Sequence, residues 1–217
     1  MTAIKICGIT RAEDASLAAK LGAHAVGFIL WPASPRYVDL ASVARIVAAL
    51  PPLVSAVGVF VNPSADVVSR AVAEGGITLA QIHGSIPEWA GGRSPVRILQ
   101  VVRLGSDDRV EFEPAVSGGV PVLIDAQHDT LHGGTGKTVD WNRAAAIARQ
   151  RTVVLAGGLT SFNVGEAIKL VRPYAVDVAS GVEASPGVKD HLRLREFVEA
   201  VRRADDDEWS SPSEEIL

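Results

Sequence analysis

The sequence predicts an α/β fold, a single closed barrel of eight parallel strands each followed by a helix, on three observations. Short β-branched runs alternate with alanine-rich helical stretches along the chain. The runs are nearly continuously apolar, as parallel strands covered on both faces should be, instead of alternating with polar residues. Strict alternation repeated eight times closes a (β/α)8 or TIM barrel, whereas the main structural rival, a doubly wound open sheet, usually has fewer strands.

The elements follow in order. A strand is expected at 3–7, ending at Gly8, with a helix at 11–21 announced by Thr10. The second strand, 25–30, runs into the proline loop Trp31-Pro32-Ala33-Ser34-Pro35-Arg36-Tyr37 and a helix at 40–50. A third strand at 55–61 precedes Asn62-Pro63-Ser64, a start signal for a helix at 64–74. The fourth, 78–82, is followed by a short helix at 87–90, and the fifth, 97–102, by a weaker one at 107–116. The sixth, 121–125, leads through a glycine-rich loop to a helix at 141–149. The seventh, 152–156, ends in Gly157-Gly158, with Thr160 or Ser161 opening a helix at 161–171. The eighth, 175–179, ends in Ser180-Gly181, and a last helix spans 189–203. Residues 1–203 are therefore expected to form one catalytic barrel domain. Residues 204–217, with Asp205-Asp206-Asp207-Glu208, read as a flexible acidic tail.

Composition agrees with one such domain. A chain of 217 residues, 47% of them hydrophobic, can bury a sizeable core. A single cysteine forms no internal disulfide, and the N-terminus lacks a charged leader followed by an apolar run, so a cytoplasmic location is expected. No apolar run approaches the roughly 20 residues of a membrane span. A formal charge of -4 argues against a broad basic surface, so no nucleic-acid partner is expected and an anionic ligand must be held by local groups.

In a barrel of this kind the C-terminal ends of the strands converge on one mouth, and what each strand delivers there can be read off. The first strand brings Cys7, the third Asn62, the fourth His83 and the sixth Asp125. A free cysteine usually behaves as a small hydrophobe. Its company at this mouth points instead to a catalytic base. Asp125 follows the apolar Val122-Leu123-Ile124, surroundings that should raise a carboxyl pKa and keep an acid protonated. The base and the acid would face one another across the opening. Gly157-Gly158 and Ser180-Gly181 can offer bare backbone N–H groups to a phosphate, because barrels commonly bind phosphate between the seventh and eighth loops. Arg36 could form a bidentate clamp on a carboxylate, and Phe28, Trp31 and Tyr37 would suit a flat aromatic acid.

Two other patterns fail. Gly136-Lys137-Thr138 ends like a nucleotide-binding loop, but the position that needs its first glycine is Leu131. This segment reads better as a loop that closes over the mouth. His128 and His132 stand four apart without a second thiol or a regular helix to fix metal geometry, so no metal site is expected.

Several ordered motifs resemble the phosphoribosylanthranilate isomerase family. They are Lys5-Ile6-Cys7-Gly8-Ile9-Thr10, Gly27-Phe28-Ile29 with Ser34-Pro35-Arg36-Tyr37-Val38, Val57-Gly58-Val59-Phe60-Val61-Asn62 and Gln81-Ile82-His83-Gly84. Further along come Gly133-Gly134-Thr135-Gly136-Lys137-Thr138-Val139-Asp140-Trp141, Leu155-Ala156-Gly157-Gly158-Leu159 and Asp177-Val178-Ala179-Ser180-Gly181-Val182-Glu183. Ile82 stands where leucine is expected, and Leu30-Trp31 lies in a variable approach; neither touches the chemistry. The resemblance implies an Amadori rearrangement in tryptophan biosynthesis, with Cys7 as general base and Asp125 as general acid. It also implies Arg36 on the anthranilate carboxylate, Asp177 on the bridging nitrogen, His83 beside the substrate and the two glycine turns on the phosphate. No cofactor is needed, the partner is a small phosphorylated molecule, and a monomer or homodimer is expected. Competing readings are another sugar-phosphate isomerase or epimerase barrel, or a noncatalytic barrel that binds a phosphorylated ligand.

Overall fold

A computed structural model describes residues 1–103, 121–125 and 141–210, with backbone alone at Arg103 and at 208–210. Eight parallel strands close on themselves: β1 (Ala3–Cys7), β2 (Ala25–Ile29), β3 (Ser55–Val61), β4 (Leu79–His83), β5 (Arg97–Arg103), β6 (Val122–Asp125), β7 (Val153–Ala156) and β8 (Ala175–Val178). Closure is made by β1 against β8, from Ala3 opposite Ala175 to Ile6 opposite Val178. That pairing removes the doubly wound alternative, in which the two outer strands keep free edges.

Around the sheet lie α1 (Ala12–Lys20), α2 (Leu40–Ala48), α3 (Ala65–Gly75), α4 (Trp141–Ala148), α5 (Val164–Val171) and α6 (His191–Ser210). Alternation along each strand sends one set of side chains outward to these helices and the other into the barrel. The outward layer is the main core, with Ile4, Ile6, Phe28, Phe60, Ile82, Leu155 and Phe197 almost fully buried. The inward layer is smaller: Leu99, Val101, Leu123, Val154, Ala156 and Ala175, with Ala3 and Leu79 packed against it. Because Ala3 faces inward, Lys5 and Cys7 on the same strand do so too. The same parity carries Leu123 to Asp125, Ala175 to Asp177, and Leu79 to Gln81 and His83. The polar groups thus sit at the C-terminal end of an interior floored by apolar side chains.

Several boundaries differ from expectation. α1 starts at Ala12 behind Arg11, with no side-chain cap, because the Thr10 hydroxyl donates to the Gly187 carbonyl instead. α5 starts at Val164 behind Asn163, later than Thr160 or Ser161 would set it. Asn163 accepts from the Thr160 N–H at 2.8 Å and donates to the Gly158 carbonyl at 3.0 Å, so it braces the glycine turn rather than capping the helix. No helix forms at 87–90: the stretch is too short to offset the cost of nucleation and lies in a loop whose Gly91 and Gly92 take positive φ. The helix expected at 107–116 lies outside the described residues.

The last helix runs past the expected boundary at 203. Ala204 is buried, and Asp205 accepts from the Thr2 N–H at 2.8 Å and the Thr2 hydroxyl at 2.7 Å. The acidic run therefore begins inside the barrel's outer layer, and Asp205 ties the C-terminal helix to the entry of β1. No helix among the described residues is long and apolar enough to cross a membrane.

Candidate active site

One cavity of about 220 Å³ opens at the C-terminal ends of the strands, lined by Cys7, Asp125, Arg36, Asp177, His83 and the two glycine turns. Cys7 enters from β1, Arg36 from the loop after β2, His83 from β4 and Asp125 from β6. Asp177 comes from β8, and Gly157-Gly158 and Ser180-Gly181 from the last two turns. Cys7 and Asp125 thus belong to different walls of a shared space. Phe28 does not join them, because it points outward into the helix layer, fully buried. Trp31 and Tyr37 are about half-exposed and lie off the cavity wall, which is completed by Ile29, Val59 and Leu123. Asn62 borders a neighbouring recess with His83, where its carbonyl accepts from the Ser85 N–H at 3.0 Å.

The two glycine turns are fixed for different reasons. Gly157 and Gly158 both hold positive φ, 92° and 64°, the left-handed region that costs any residue with a Cβ. Gly181 begins no strained turn, but a Cβ there would collide with the Leu159 carbonyl oxygen, so the eighth loop packs directly on the backbone of the seventh. Ser180–Val182 forms a single 3₁₀ turn facing the same cavity.

Arg36 does not stand alone. Its Nε lies 2.9 and 3.0 Å from the two Glu183 oxygens and its Nη2 lies 2.7 Å from Oε2, leaving Nη1 without a partner among the described residues. Glu183 is in turn held by the Lys189 ammonium at 3.0 Å and the Gly187 N–H at 3.2 Å. Burial alone would raise the Glu183 carboxyl, but Arg36 and Lys189 outweigh it and hold it below its ordinary value. Lys189 is fully buried and also donates to the Cys7 carbonyl at 2.6 Å and the Ala179 carbonyl at 3.2 Å. Burial depresses its pKa, against the attraction of Glu183. The antiparallel pair β9 (Glu183–Ser185) and β10 (Val188–Lys189) exists to deliver this carboxylate and this ammonium to the back of the site.

Cys7 is 7% exposed, and burial pushes its thiol up; the nearby Lys5 charge opposes that shift. Lys5 is buried beside it and bonds Asp177 Oδ2 at 2.8 Å. Burial would lower the Lys5 ammonium, but Asp177 and then Cys7 outweigh it, leaving it raised. Two buried oxygens on the cavity wall have no partner among the described residues, Asp177 Oδ1 and Gln81 Oε1. Such groups are costly unless water or a ligand meets them.

Sequence reading missed three contributors. Gln81 is a polar residue at an inward position two before His83, a parity signal that was available. Glu183 and Lys189 stand in segments that resemble the family, Glu183 closing the motif after the eighth strand and Lys189 following Pro186-Gly187, but no role could be read for either, because only the fold brings them behind Arg36 and Cys7. The loop expected to close over the mouth, with Gly136-Lys137-Thr138 and His128 and His132, lies outside the described residues. Among the described residues no group of three or more His, Cys, Asp or Glu side chains could hold a metal ion.

A closed parallel barrel with its polar side chains gathered at the C-terminal mouth is the architecture of a TIM-barrel enzyme. The comparisons say which kind. Residues 4–200 match the sequence profile of the family described as PRAI, N-(5'phosphoribosyl)anthranilate (PRA) isomerase. An N-(5'-phosphoribosyl)anthranilate isomerase of Pelobacter propionicus is 43% identical over 200 residues, 91% of this chain and 94% of that one. A crystal structure of a phosphoribosyl anthranilate isomerase in complex with reduced 1-(o-carboxyphenylamino)-1-deoxyribulose 5-phosphate superposes with a TM-score of 0.79 at 35% identity, covering 94% of this chain and all (100%) of that one. Monomers made from the dimeric enzyme of Thermotoga maritima superpose equally well, with a TM-score of 0.79, 35% identity and coverage of 94% and 100%. The chain therefore belongs to the N-(5'-phosphoribosyl)anthranilate isomerase family and is an isomerase. That family serves tryptophan biosynthesis.

Proposed function

We propose that this chain converts N-(5-phosphoribosyl)anthranilate to 1-(2-carboxyphenylamino)-1-deoxyribulose 5-phosphate, with Asp125 as general acid and Cys7 as general base. The observation that carries the reading is the shared cavity, in which a thiol and a carboxyl group from different strands meet two glycine turns and an arginine. Asp125 protonates the furanose ring oxygen as the C1–O bond breaks, and the electron pair on the anthranilate nitrogen forms the iminium. The iminium acidifies the C2 proton, which the Cys7 thiolate removes to give an enolamine. Reprotonation at C1 and collapse of the C2 hydroxyl to a carbonyl give the ketose. The substrate's nitrogen is the electron sink, so the scheme draws on no metal or organic cofactor.

Arg36, presented edge-on by Glu183, takes the anthranilate carboxylate through Nη1. Asp177 Oδ1, buried without a partner, accepts from the bridging N–H. Gly157, Gly158, Ser180 and Gly181 give backbone N–H groups to the phosphate, and His83 borders the sugar. The chain works in the cytoplasm as a monomer or homodimer, with this one small phosphorylated partner. Cys7→Ser and Asp125→Asn should fold normally, with unchanged circular dichroism, and lose about 10²–10⁴-fold in turnover. A rate within a few-fold of wild type in either variant removes that residue from its role.

A further inference from the structure

Lys5 is a charged side chain sealed inside the barrel below the cavity, only 4% exposed. An ammonium has three N–H groups; Asp177 Oδ2 receives one, at 2.8 Å, and the Cys7 sulfur stands within reach of another. What remains of its surroundings is the thiol. A Cβ built on Gly27 would stand 2.9 Å from Cys7 Sγ and 3.2 Å from Lys5 Nζ, so the two polar ends share one niche against a residue with no side chain and lie no more than about 6 Å apart. Strand register enforces this: Lys5 is level with Asp177 on one side, and Cys7 is level with Gly27 on the other.

We propose that Lys5 is the positioning residue that holds Cys7 as a thiolate, a buried counter-cation shared between the sulfur and Asp177. This role rests on Cys7 as the base. The alternative use of Lys5, as a structural partner of Asp177 alone, leaves its contact with the Cys7 sulfur without a purpose. The groups that face or adjoin Cys7 are Lys5 on its own strand, Arg36 after β2, His83 on β4, Asp125 on β6, Asp177 on β8, and Glu183 and Lys189 beyond it. With Asp125 as the protonated acid proposed above, Lys5, Lys189 and Arg36 stand around the sulfur against Asp177 and Glu183, one positive charge in excess, and a thiolate cancels it. Burial raises the Cys7 thiol and prevails; of the charges around it, Lys5 opposes that rise most strongly, Asp177 adds to it and Lys189 opposes it.

Cys7 is the only cysteine of the chain, so its alkylation by iodoacetamide reads this site without background and without turnover. The pH midpoint of the alkylation rate, normalised to each protein's own plateau, is compared in wild type, Lys5→Met, Lys5→Arg and Asp177→Asn. Lys5→Met should move the midpoint up by about one pH unit or more, a tenfold slower reaction at a fixed pH below it. Asp177→Asn should move it down, because the lysine then has no competing anion, and Lys5→Arg should stay nearer wild type than Lys5→Met does. An unmoved midpoint in folded Lys5→Met, or an unmoved or raised one in Asp177→Asn, overturns the role. Where Lys5→Met fails to fold by circular dichroism, Asp177→Asn alone decides. If Cys7→Ser keeps its turnover while these midpoints shift as stated, the base assignment fails and the ion pair stands.

Discussion

Glu183→Gln tests the carboxylate end of the site, because it alters what presents Arg36 without touching Arg36 itself. The Glu183 side chain is 4% exposed and receives three close contacts from Arg36, one from Lys189 and one from the Gly187 N–H. In the amide, Oε1 can still accept from Lys189 and Gly187, but Nε2 then faces the guanidinium donor to donor. Removing one partner of a buried pair costs about 3–5 kcal/mol. The retained Lys189 bond and the 23% exposure of Arg36 reduce that to about 2–3 kcal/mol here. For a chain of this length, each kcal/mol lowers Tm by about 2–4 °C, so a fall of about 5–10 °C is expected. The KM for N-(5-phosphoribosyl)anthranilate should rise about tenfold or more, with a smaller change in kcat, as the fork loses its fixed geometry. Thermal unfolding followed by circular dichroism and the loss of substrate fluorescence measure the two effects. A Tm within about 2 °C of wild type, or an unchanged KM, would show that Arg36 holds its place without the carboxylate. The pH dependence has a definite sign. Glu183 titrates lower folded than unfolded, so its contribution is whole above the ordinary glutamate value of about 4.3 and is lost as pH falls through the lower folded value. The stability gap between wild type and Glu183→Gln should therefore narrow on acidification below about pH 4.

Two further substitutions probe the frame of the site. Gly181→Ala drives a Cβ into the Leu159 carbonyl and must separate the seventh and eighth loops; it should cost about 1–3 kcal/mol and weaken inorganic phosphate binding measured by calorimetry. Unchanged phosphate affinity would mean that these turns do not hold the anion. Asp205→Ala removes both bonds to Thr2 and should cost about 1–2 kcal/mol by urea unfolding, whereas a solvated tail residue would cost nothing measurable.

How much was legible follows from what each signal depends on. The strands were readable because parallel strands buried on both faces must be apolar throughout, and the mouth residues followed because a barrel gathers strand ends. Closure then placed Cys7, Asp125 and the late glycine turns on one cavity without any further signal from the sequence. The boundary at 203 failed for a physical reason: an acidic run reads as solvated, yet on a helix every third or fourth position turns inward, which buries Ala204 and aims Asp205 at Thr2. Thr10 failed as a cap because a partner 177 residues away, Gly187, accepts from its hydroxyl. Local preference yields to a tertiary bond wherever the chain brings one close enough.

The same reasoning explains why charges are found where sequence rules would forbid them. Lys5, Asp177, Glu183 and Lys189 are all buried, and an unpaired charge so placed costs several kcal/mol. Each instead meets an opposite charge delivered by a different part of the fold: Lys5 by the closing pair of strands, Glu183 and Lys189 by the β9–β10 turn and Arg36. Replacing such pairs by well-packed apolar groups is often neutral or stabilising, so stability alone does not explain them. Their arrangement does a different task, because every pair touches a group on the cavity wall: Lys5 with Asp177 abuts Cys7, Lys189 holds the Cys7 carbonyl, and Glu183 aims Arg36. Among the described residues, the buried charges of this barrel's interior gather beneath its mouth, where fixed charge sets protonation and aim, over a floor of packed apolar side chains.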